Sequence, residues 1–281
     1  MNRHRLQRAA SVWHVRLPER CCSALVAAAG EKENINNTVV LSACTTTTQA
    51  VDDNLDERIW QETTVDIMGR RSTSVEELSP EQSPTDATVP AVIYLHGCGG
   101  RGNTATSHVR FFKLQGYAVF SPDHYVRPDA KTECDYNTAR VWATKSTREK
   151  RIEEAEIVRQ RLRSLSWVDQ YRVYLVGHSQ GGWAAAHYRK AGDFTGIIAI
   201  ATACGEGIEH HTPLLTIAAK RDEFAIKNNA ITCAEHYGRK ATHLVVEGGD
   251  HNFIMDTSYL AEPEKQARDS ILSFLESTAA N

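Results

Sequence analysis

The segment Gly177-His-Ser179-Gln-Gly181 carries a Gly-x-Ser-x-Gly pattern. An apolar run at Val173–Val176, typical of a buried strand, precedes it, and a helical pattern follows over 180–190. A sharp strand-to-helix turn exposes the serine side chain, and it needs glycine two positions away on either side because a larger residue would not fit. This context predicts that Ser179 is a nucleophile. The alternative is a glycine-rich turn with an incidental serine.

A serine hydroxyl needs a base within hydrogen-bond reach, and the base needs a carboxylate that holds it in one tautomer. Asp222 follows the apolar run Leu214–Ala218, and His251 follows the next one, His243–Val246. Because the carboxyl ends of parallel strands meet at one edge of a sheet, we expect these side chains to lie near Ser179. The order Ser, Asp, His predicts a catalytic triad.

Three other acids, Glu223, Glu247 and Asp250, also lie near strand ends. Asp250 is adjacent to His251, and neighbouring side chains on an extended loop usually diverge. Glu223 is the serious competitor for the role of orienting acid. Asp222 is preferred because it comes first after the strand.

The run His96-Gly-Cys98-Gly99-Gly100 follows the predicted strand Ala91–Leu95. Acyl-transfer chemistry needs N–H donors aimed at the developing oxyanion. We predict that the backbone N–H groups of Cys98 and Gln180 are these donors, with Gly99 as the alternative to Cys98. The competing interpretation of the run is a flexible turn.

Together these motifs resemble those of the α/β-hydrolase superfamily over residues from about 90 to 278. The compact layout without a large lid is similar to the dienelactone hydrolase branch. That resemblance implies a small, cofactor-free hydrolase of esters or lactones, and the superfamily places an aspartate at the position of Asp222. The branch's name-giving enzymes carry cysteine where this chain has Ser179, so lactone specificity is not implied.

The predicted function is therefore hydrolysis of a carboxylic ester of a small to medium substrate through an acyl-enzyme. An acyltransferase or a peptidase could use the same triad, because the turn fixes the nucleophile and leaves the acceptor open. A non-catalytic binding module on a hydrolase scaffold is the other alternative, and the intact triad argues against it. Substrate identity and oligomeric state are beyond the sequence.

The fold class follows from short apolar runs that alternate with longer helical patterns after residue 90. Such runs are typical of strands buried on both faces, and the connections are long enough for crossover helices. The sequence predicts an α/β fold with a mostly parallel central sheet and helices on both faces over 85–281. The predicted strands are 91–95, 117–120, 173–176, 196–200, 214–218 and 243–246, and the predicted helices are 104–114, 147–165, 180–190, 228–236 and 263–275.

The region before the predicted catalytic domain has a different character. Residues 1–30 combine a basic leader with the apolar run Cys21–Ala29 and predict a signal peptide or a disordered leader, with export to the periplasm or medium favoured over a cytoplasmic location. Cleavage would then fall near Gly30. Residues 31–84 predict a polar extension with one or two outer strands within Arg58–Ile67.

Composition excludes several function classes. Thirty-two Lys and Arg against 35 Asp and Glu give the 281-residue chain a charge of -3, which does not favour a nucleic-acid partner. The run Cys21–Ala29 is about half the roughly 20 residues that a membrane-spanning helix needs, so no transmembrane segment is predicted. The sequence shows neither metal-ligand spacing nor a phosphate-binding loop, and no metal or cofactor is predicted. The expected partner is a small-molecule ester.

Three further residues or pairs have two interpretations each. Arg127, in the loop after the second core strand, is either a ligand for a substrate carboxylate or a solvated loop residue. Cys204 and Cys233 are the pair we expect to form a disulfide if the protein is exported, and otherwise they are small buried residues. His178 is expected to pack or donate a hydrogen bond within the turn that carries Ser179.

Overall fold

We analysed a computed structural model of the chain. It describes residues 53–78, 87–202 apart from 132, 133, 136, 139, 142 and 143, and then 211–224, 240–255 and 260–279. Residues 48–281 form one compact unit. These residues include most of the predicted catalytic domain and part of the segment before it.

A mixed eight-stranded sheet forms the centre of this unit, with strand order β10-β9-β8-β7-β3-β4-β1-β2. The pairs from β4 through β3 to β10 are parallel, and β1 pairs antiparallel with both β4 and β2. The strands are β1 (Thr64–Asp66), β2 (Thr73–Ser74), β3 (Val89–Leu95), β4 (Ala118–Ser121), β5 (Cys134–Asp135), β6 (Arg140–Val141), β7 (Val168–His178), β8 (Gly196–Ile200), β9 (Leu214–Ala219) and β10 (Ala241–Val246). β5 and β6 form a separate two-stranded sheet.

Helices cover both faces of the sheet, as the sequence predicted. They are α1 (Asp53–Gln61), α2 (Asn103–Leu114), α3 (Lys145–Leu162), α4 (Gln180–Ala186) and α5 (Glu262–Ala279). Side chains of α3 and α4 pack with Ile93 and Leu95 in one core cluster, and side chains of α2 and α5 pack with Val92 and Tyr94 in the other. Alternate residues of β3 thus face opposite helical layers, which is the geometry of a strand buried on both sides.

From β3 onward, the predicted strands and helices within the described residues agree with the structure to within about four residues, but β7 begins five residues earlier than the predicted strand 173–176. The helix predicted over 180–190 ends at Ala186. The predicted helix at 228–236 lies outside the described residues.

The segment before β3 differs in part from the prediction. Arg58–Ile67 was expected to be extended, but its first four residues belong to helix α1. Ile59 of this helix is fully buried. Burial of that side chain is a tertiary effect, which the local sequence pattern did not reveal. The division of the chain at residue 85 and the leader at 1–30 stay predictions, and the leader lies outside the described residues.

Among the described residues, no helix has the length and apolar character needed to cross a membrane.

Candidate active site

Ser179 lies at the tight turn between β7 and α4. Its backbone is in a positive-φ conformation, with φ 55° and ψ -118°. A Cβ placed on Gly177 would lie 2.2 Å from the carbonyl oxygen of Gly181, and one on Gly181 would lie 2.1 Å from that of Leu95. Both glycines are therefore required by close backbone contacts, which is the physical basis of the sequence pattern.

The three side chains predicted as a triad form one chain of hydrogen bonds. Nε2 of His251 lies 2.8 Å from Oγ of Ser179, and Nδ1 of His251 lies 2.8 Å from Oδ2 of Asp222. In this arrangement Nδ1–H donates to the carboxylate and Nε2 accepts from the hydroxyl. The unprotonated nitrogen is therefore directed at the serine, which is the tautomer that a general base requires.

The structure distinguishes Asp222 from the competing acids. Asp222 is fully buried, and its Oδ1 accepts a hydrogen bond from the backbone N–H of Phe224. Glu223 and Asp250 are exposed, and the carboxylate of Asp250 accepts from the backbone N–H of Asn252. Among the predicted candidates, Asp222 is thus the acid whose carboxylate contacts His251.

Two neighbours hold the imidazole of His251 and its loop. Nε2 of His178 donates to the carbonyl oxygen of His251 over 2.7 Å, and the ring of Phe224 stacks on the imidazole with centroids 4.4 Å apart. Burial, followed by the nearby His251 and His108, holds the pKa of His178 well below its usual value. His178 is therefore neutral, and it adds no second charge next to the base.

The predicted oxyanion loop borders the nucleophile. A Cβ on Gly97 would lie 3.3 Å from Cβ of Ser179, so the peptide that joins Gly97 to Cys98 lies beside the serine. The loop closes in a turn, because the backbone N–H of Gly100 donates to the carbonyl oxygen of Gly97 over 3.1 Å. Gln180, the other predicted donor, is the first residue of α4, where backbone N–H groups point out of the helix end.

Cys98 and Cys134 form a disulfide that sequence reasoning missed. It joins the oxyanion loop to β5 of the small two-stranded sheet. The pair that was considered, Cys204 and Cys233, lies outside the described residues. No local pattern signals the observed pairing, because the two cysteines are 36 residues apart and meet only through the fold.

Arg127 does not take either role considered from the sequence. Its side chain is almost fully buried, with Nε 2.6 Å from Oε1 of Glu154 and NH2 2.6 Å from Oε2 of Glu153. Both carboxylates are supplied by helix α3 of the same chain. Arg127 is therefore an internal ion-pair residue, neither a solvated loop residue nor a ligand for substrate.

A cavity of about 140 Å³ opens above Ser179 and His251. The described part of its lining contains no Asp, Glu, Lys or Arg. Backbone of the glycine loop forms one side, and Asn103, Thr104 and Asn252 contribute polar side chains. The described residues also contain no cluster of three or more His, Cys, Asp and Glu arranged to hold a metal ion.

Comparison with known families agrees with this geometry. The model of the dienelactone hydrolase family matches residues 80–279, which is most of the chain. The chain belongs to the dienelactone hydrolase family. As a member of that family it is a hydrolase. Among curated proteins, none matches its sequence.

Solved structures share the fold of this dienelactone hydrolase family member at low sequence identity. A proposed dienelactone hydrolase of Klebsiella pneumoniae is 18% identical with a TM-score of 0.53, over 69% of this chain and 89% of that one. An esterase of Pyrobaculum calidifontis is 18% identical with a TM-score of 0.52, over 70% and 79%. Est1E of Butyrivibrio proteoclasticus, solved with ferulic acid bound, is 13% identical with a TM-score of 0.52, over 78% and 95%. These likenesses establish the α/β-hydrolase fold.

Proposed function

We propose that this protein is a serine esterase that hydrolyses carboxylic esters through an acyl-enzyme. The observation that carries the proposal is the hydrogen-bonded chain from Asp222 through His251 to Ser179, with both distances at 2.8 Å. Hydrogen-bond contact between nucleophile and base, with the base oriented by a buried carboxylate, is the signature of nucleophilic catalysis.

In the first half of the reaction, Oγ of Ser179 attacks the ester carbonyl while its proton moves to Nε2 of His251. The tetrahedral oxyanion accepts hydrogen bonds from the backbone N–H groups of Cys98 and Gln180. His251 then returns the proton to the leaving alcohol, and the C–O bond of the ester breaks. Asp222 stabilises the imidazolium that forms between these steps.

In the second half, water attacks the acyl-enzyme. His251 takes a proton from that water and delivers it to Oγ of Ser179 as the acid leaves. The proton lost to the alcohol is replaced by one from water, so Ser179 and His251 end the cycle in their starting protonation states and these steps need no cofactor.

The cavity supports a small, neutral acyl group. Its volume of about 140 Å³ and the lack of charged side chains in the described lining favour short acyl chains over long or ionised ones. We expect turnover of p-nitrophenyl acetate and butyrate to exceed that of the octanoate.

A fluorophosphonate probe tests the nucleophile directly, because it reacts only with an activated serine. The wild-type protein should become labelled and should hydrolyse p-nitrophenyl acetate, and Ser179→Ala should do neither. Equal labelling of both proteins, or none of the wild type, would overturn the proposal. Hydrolysis in the presence of a competing alcohol separates an esterase from an acyltransferase, since a transferase would form the new ester in preference to the free acid.

A further inference from the structure

Arg151 is a fully buried arginine on helix α3. Its Nε donates to Oε1 of Gln180 over 3.1 Å. Its Nη2 lies 3.4 Å from the carbonyl oxygen of Gly97 and 3.2 Å from Nδ1 of His96. Gln180 supplies one predicted oxyanion donor. The carbonyl of Gly97 belongs to the same peptide unit as the N–H of Cys98, the other predicted donor. One guanidinium therefore contacts the side chain of one predicted donor residue and the peptide that carries the other predicted donor.

The contact with Gly97 determines where the N–H of Cys98 points. In a trans peptide the C=O and N–H bonds point in opposite directions. The carbonyl oxygen of Gly97 is held by Arg151, by Nδ1–H of His96 at 2.7 Å and by the backbone N–H of Gly100 at 3.1 Å. Fixing the carbonyl on this side directs the N–H of Cys98 to the opposite side of the peptide.

Neutral His96 is part of the same support. Its Nε2 accepts from the backbone N–H of His124 over 3.2 Å, and its Nδ1 lies 2.7 Å from the carbonyl oxygen of Gly97 and 3.2 Å from Nη2 of Arg151. Because the shorter contact is with a carbonyl, which only accepts, we place the proton on Nδ1, from which it is donated to Gly97. Burial and the charge of Arg151 lower the pKa of His96 from its usual value. The histidine thus stays neutral, and Arg151 remains the cation directed at this carbonyl.

The charge of Arg151 interacts with that of the buried Glu154, three residues further along α3. Glu154 also accepts from Nδ1 of His124 at 2.7 Å and from Nε of Arg127 at 2.6 Å. Burial opposes ionisation of Glu154, but the hydrogen bond from His124 and the charges of Arg151 and Arg127 outweigh it and lower its pKa. Buried ion pairs are often no more stabilising than apolar residues of similar volume. Stability alone therefore does not account for a cation at this position.

We propose that Arg151 is a positioning residue for the oxyanion hole, and this proposal rests on the proposed esterase function. Its contacts with Oε1 of Gln180 and with the carbonyl oxygen of Gly97 fix the Gln180 side chain and the Gly97–Cys98 peptide before the substrate arrives. A hydrogen bond to the carbonyl also polarises the peptide and strengthens its N–H as a donor. Because the oxyanion exists only in the tetrahedral state, Arg151 acts on kcat and leaves KM nearly unchanged.

The test measures kcat and KM for p-nitrophenyl acetate, together with inhibition by a boronic acid whose tetrahedral adduct places an oxygen in the oxyanion hole. Removal of an oxyanion donor itself typically lowers kcat by about 100-fold or more, so loss of its support in Arg151→Met should lower kcat by about 30-fold. KM should change less than about 3-fold, and the boronic acid should bind more weakly by a factor similar to the loss in kcat. Arg151→Lys keeps the charge but cannot reach both acceptors, and it should recover only part of the activity.

Arg159→Met is the matched control. Arg159 is also a buried arginine of α3, and it donates to the carbonyl oxygen of Asp193 over 2.6 Å and to Oε1 of Gln170 over 2.8 Å. These contacts lie outside the candidate active site. Loss of this arginine should lower stability without the selective fall in kcat and boronic acid affinity. An equal fall in both variants would make the role of Arg151 merely structural and would overturn the proposal.

Gln180→Met keeps the test decisive if Arg151→Met does not fold. This variant retains the backbone N–H of Gln180 and removes the side-chain acceptor for Arg151. We expect kcat to fall about 5-fold with KM unchanged. The fall is smaller than in Arg151→Met because the contact of Arg151 with Gly97 remains. A kcat within 2-fold of wild type in Gln180→Met and Arg151→Lys would overturn the positioning role. Failure of the wild type to react with the fluorophosphonate would instead overturn the esterase function.

Discussion

Nε2 of His178 lies 2.7 Å from the main-chain carbonyl oxygen of His251 and donates a hydrogen bond to it. His178 immediately precedes the proposed nucleophile in the chain, whereas His251 lies on the loop after β10. This bond therefore connects the turn that presents Ser179 to the loop that presents its base. It helps to keep Oγ of Ser179 and Nε2 of His251 in hydrogen-bond contact.

The acid of the triad can be tested by amide substitution. Asp222→Asn should cost at least about 3 kcal/mol in transition-state stabilisation, because an amide no longer holds His251 in the tautomer that serves as a base. The measurement is kcat/KM for p-nitrophenyl acetate. Glu223→Gln and Asp250→Asn are the controls, and each should reduce the transition-state stabilisation far less than Asp222→Asn does. A crippling effect of Glu223→Gln with an active Asp222→Asn would move the acid role to Glu223.

The glycines of the turn should be sensitive to a single methyl group. Gly181→Ala should lower the free energy of unfolding by about 2 to 3 kcal/mol, because its Cβ would lie 2.1 Å from the backbone oxygen of Leu95. Denaturant unfolding measures the change. Gly102→Ala is the control, since a Cβ there has no described heavy atom within 4 Å, and it should cost less than about 1 kcal/mol. Equal losses in the free energy of unfolding for Gly181→Ala and Gly102→Ala would contradict the tight packing of the turn.

The disulfide between Cys98 and Cys134 should support both stability and activity. Cys134→Ser should lower the free energy of unfolding by about 2 to 4 kcal/mol, because the bond closes a loop between cysteines 36 residues apart. It should also lower kcat, since the loop that carries the N–H of Cys98 loses its tether. Dithiothreitol should reproduce both effects in the wild type and have none on Cys134→Ser. A wild type that is insensitive to the reductant would show that the bond does not form.

Stability should fall as the solution becomes acidic. Burial, with neighbouring charges and histidines, lowers the pKa of both His96 and His178 in the folded state, whereas an unfolded histidine titrates near about 6.5. Below that pH the unfolded chain binds more protons, so the free energy of unfolding drops by up to about 1.4 kcal/mol per pH unit for each histidine. The contribution of these two histidines to the free energy of unfolding is fully present above about pH 7.

Denaturant unfolding between pH 5 and about 7 measures this effect. His96→Asn should show a shallower fall than the wild type, because one of the two histidines whose pKa is lowered in the folded state has been removed. Identical slopes in the two proteins would contradict the assignment of His96 as a buried neutral residue.

The sequence by itself determined most of the core strands and helices and the residues of the proposed site. Apolar runs such as Ile197–Ile200 predicted buried parallel strands, because a strand covered on both faces needs no polar alternation. The glycines around Ser179 predicted the turn, since only glycine allows the close backbone approach found there. The order in which Asp222 and His251 follow successive strands placed both at the same edge of the sheet. These features depend on residues close in the chain or on a general rule of strand topology.

Only the tertiary structure decided which side chains meet. The sequence left Glu223 open as the orienting acid, and the burial of Asp222 against His251 selects between the two carboxylates. Arg127, considered as a substrate ligand, is paired with Glu153 and Glu154.

Long-range contacts explain the remaining differences between the predictions from the sequence and the structure. The bond between Cys98 and Cys134 and the contact of Arg151 with Gln180 join residues about 30 positions apart. Helix α1 is a further case, because burial of Ile59 against the unit outweighs the weak extended pattern of its segment. In each case the partner is fixed by the packing of distant elements, and a local pattern of residue types carries no information about it.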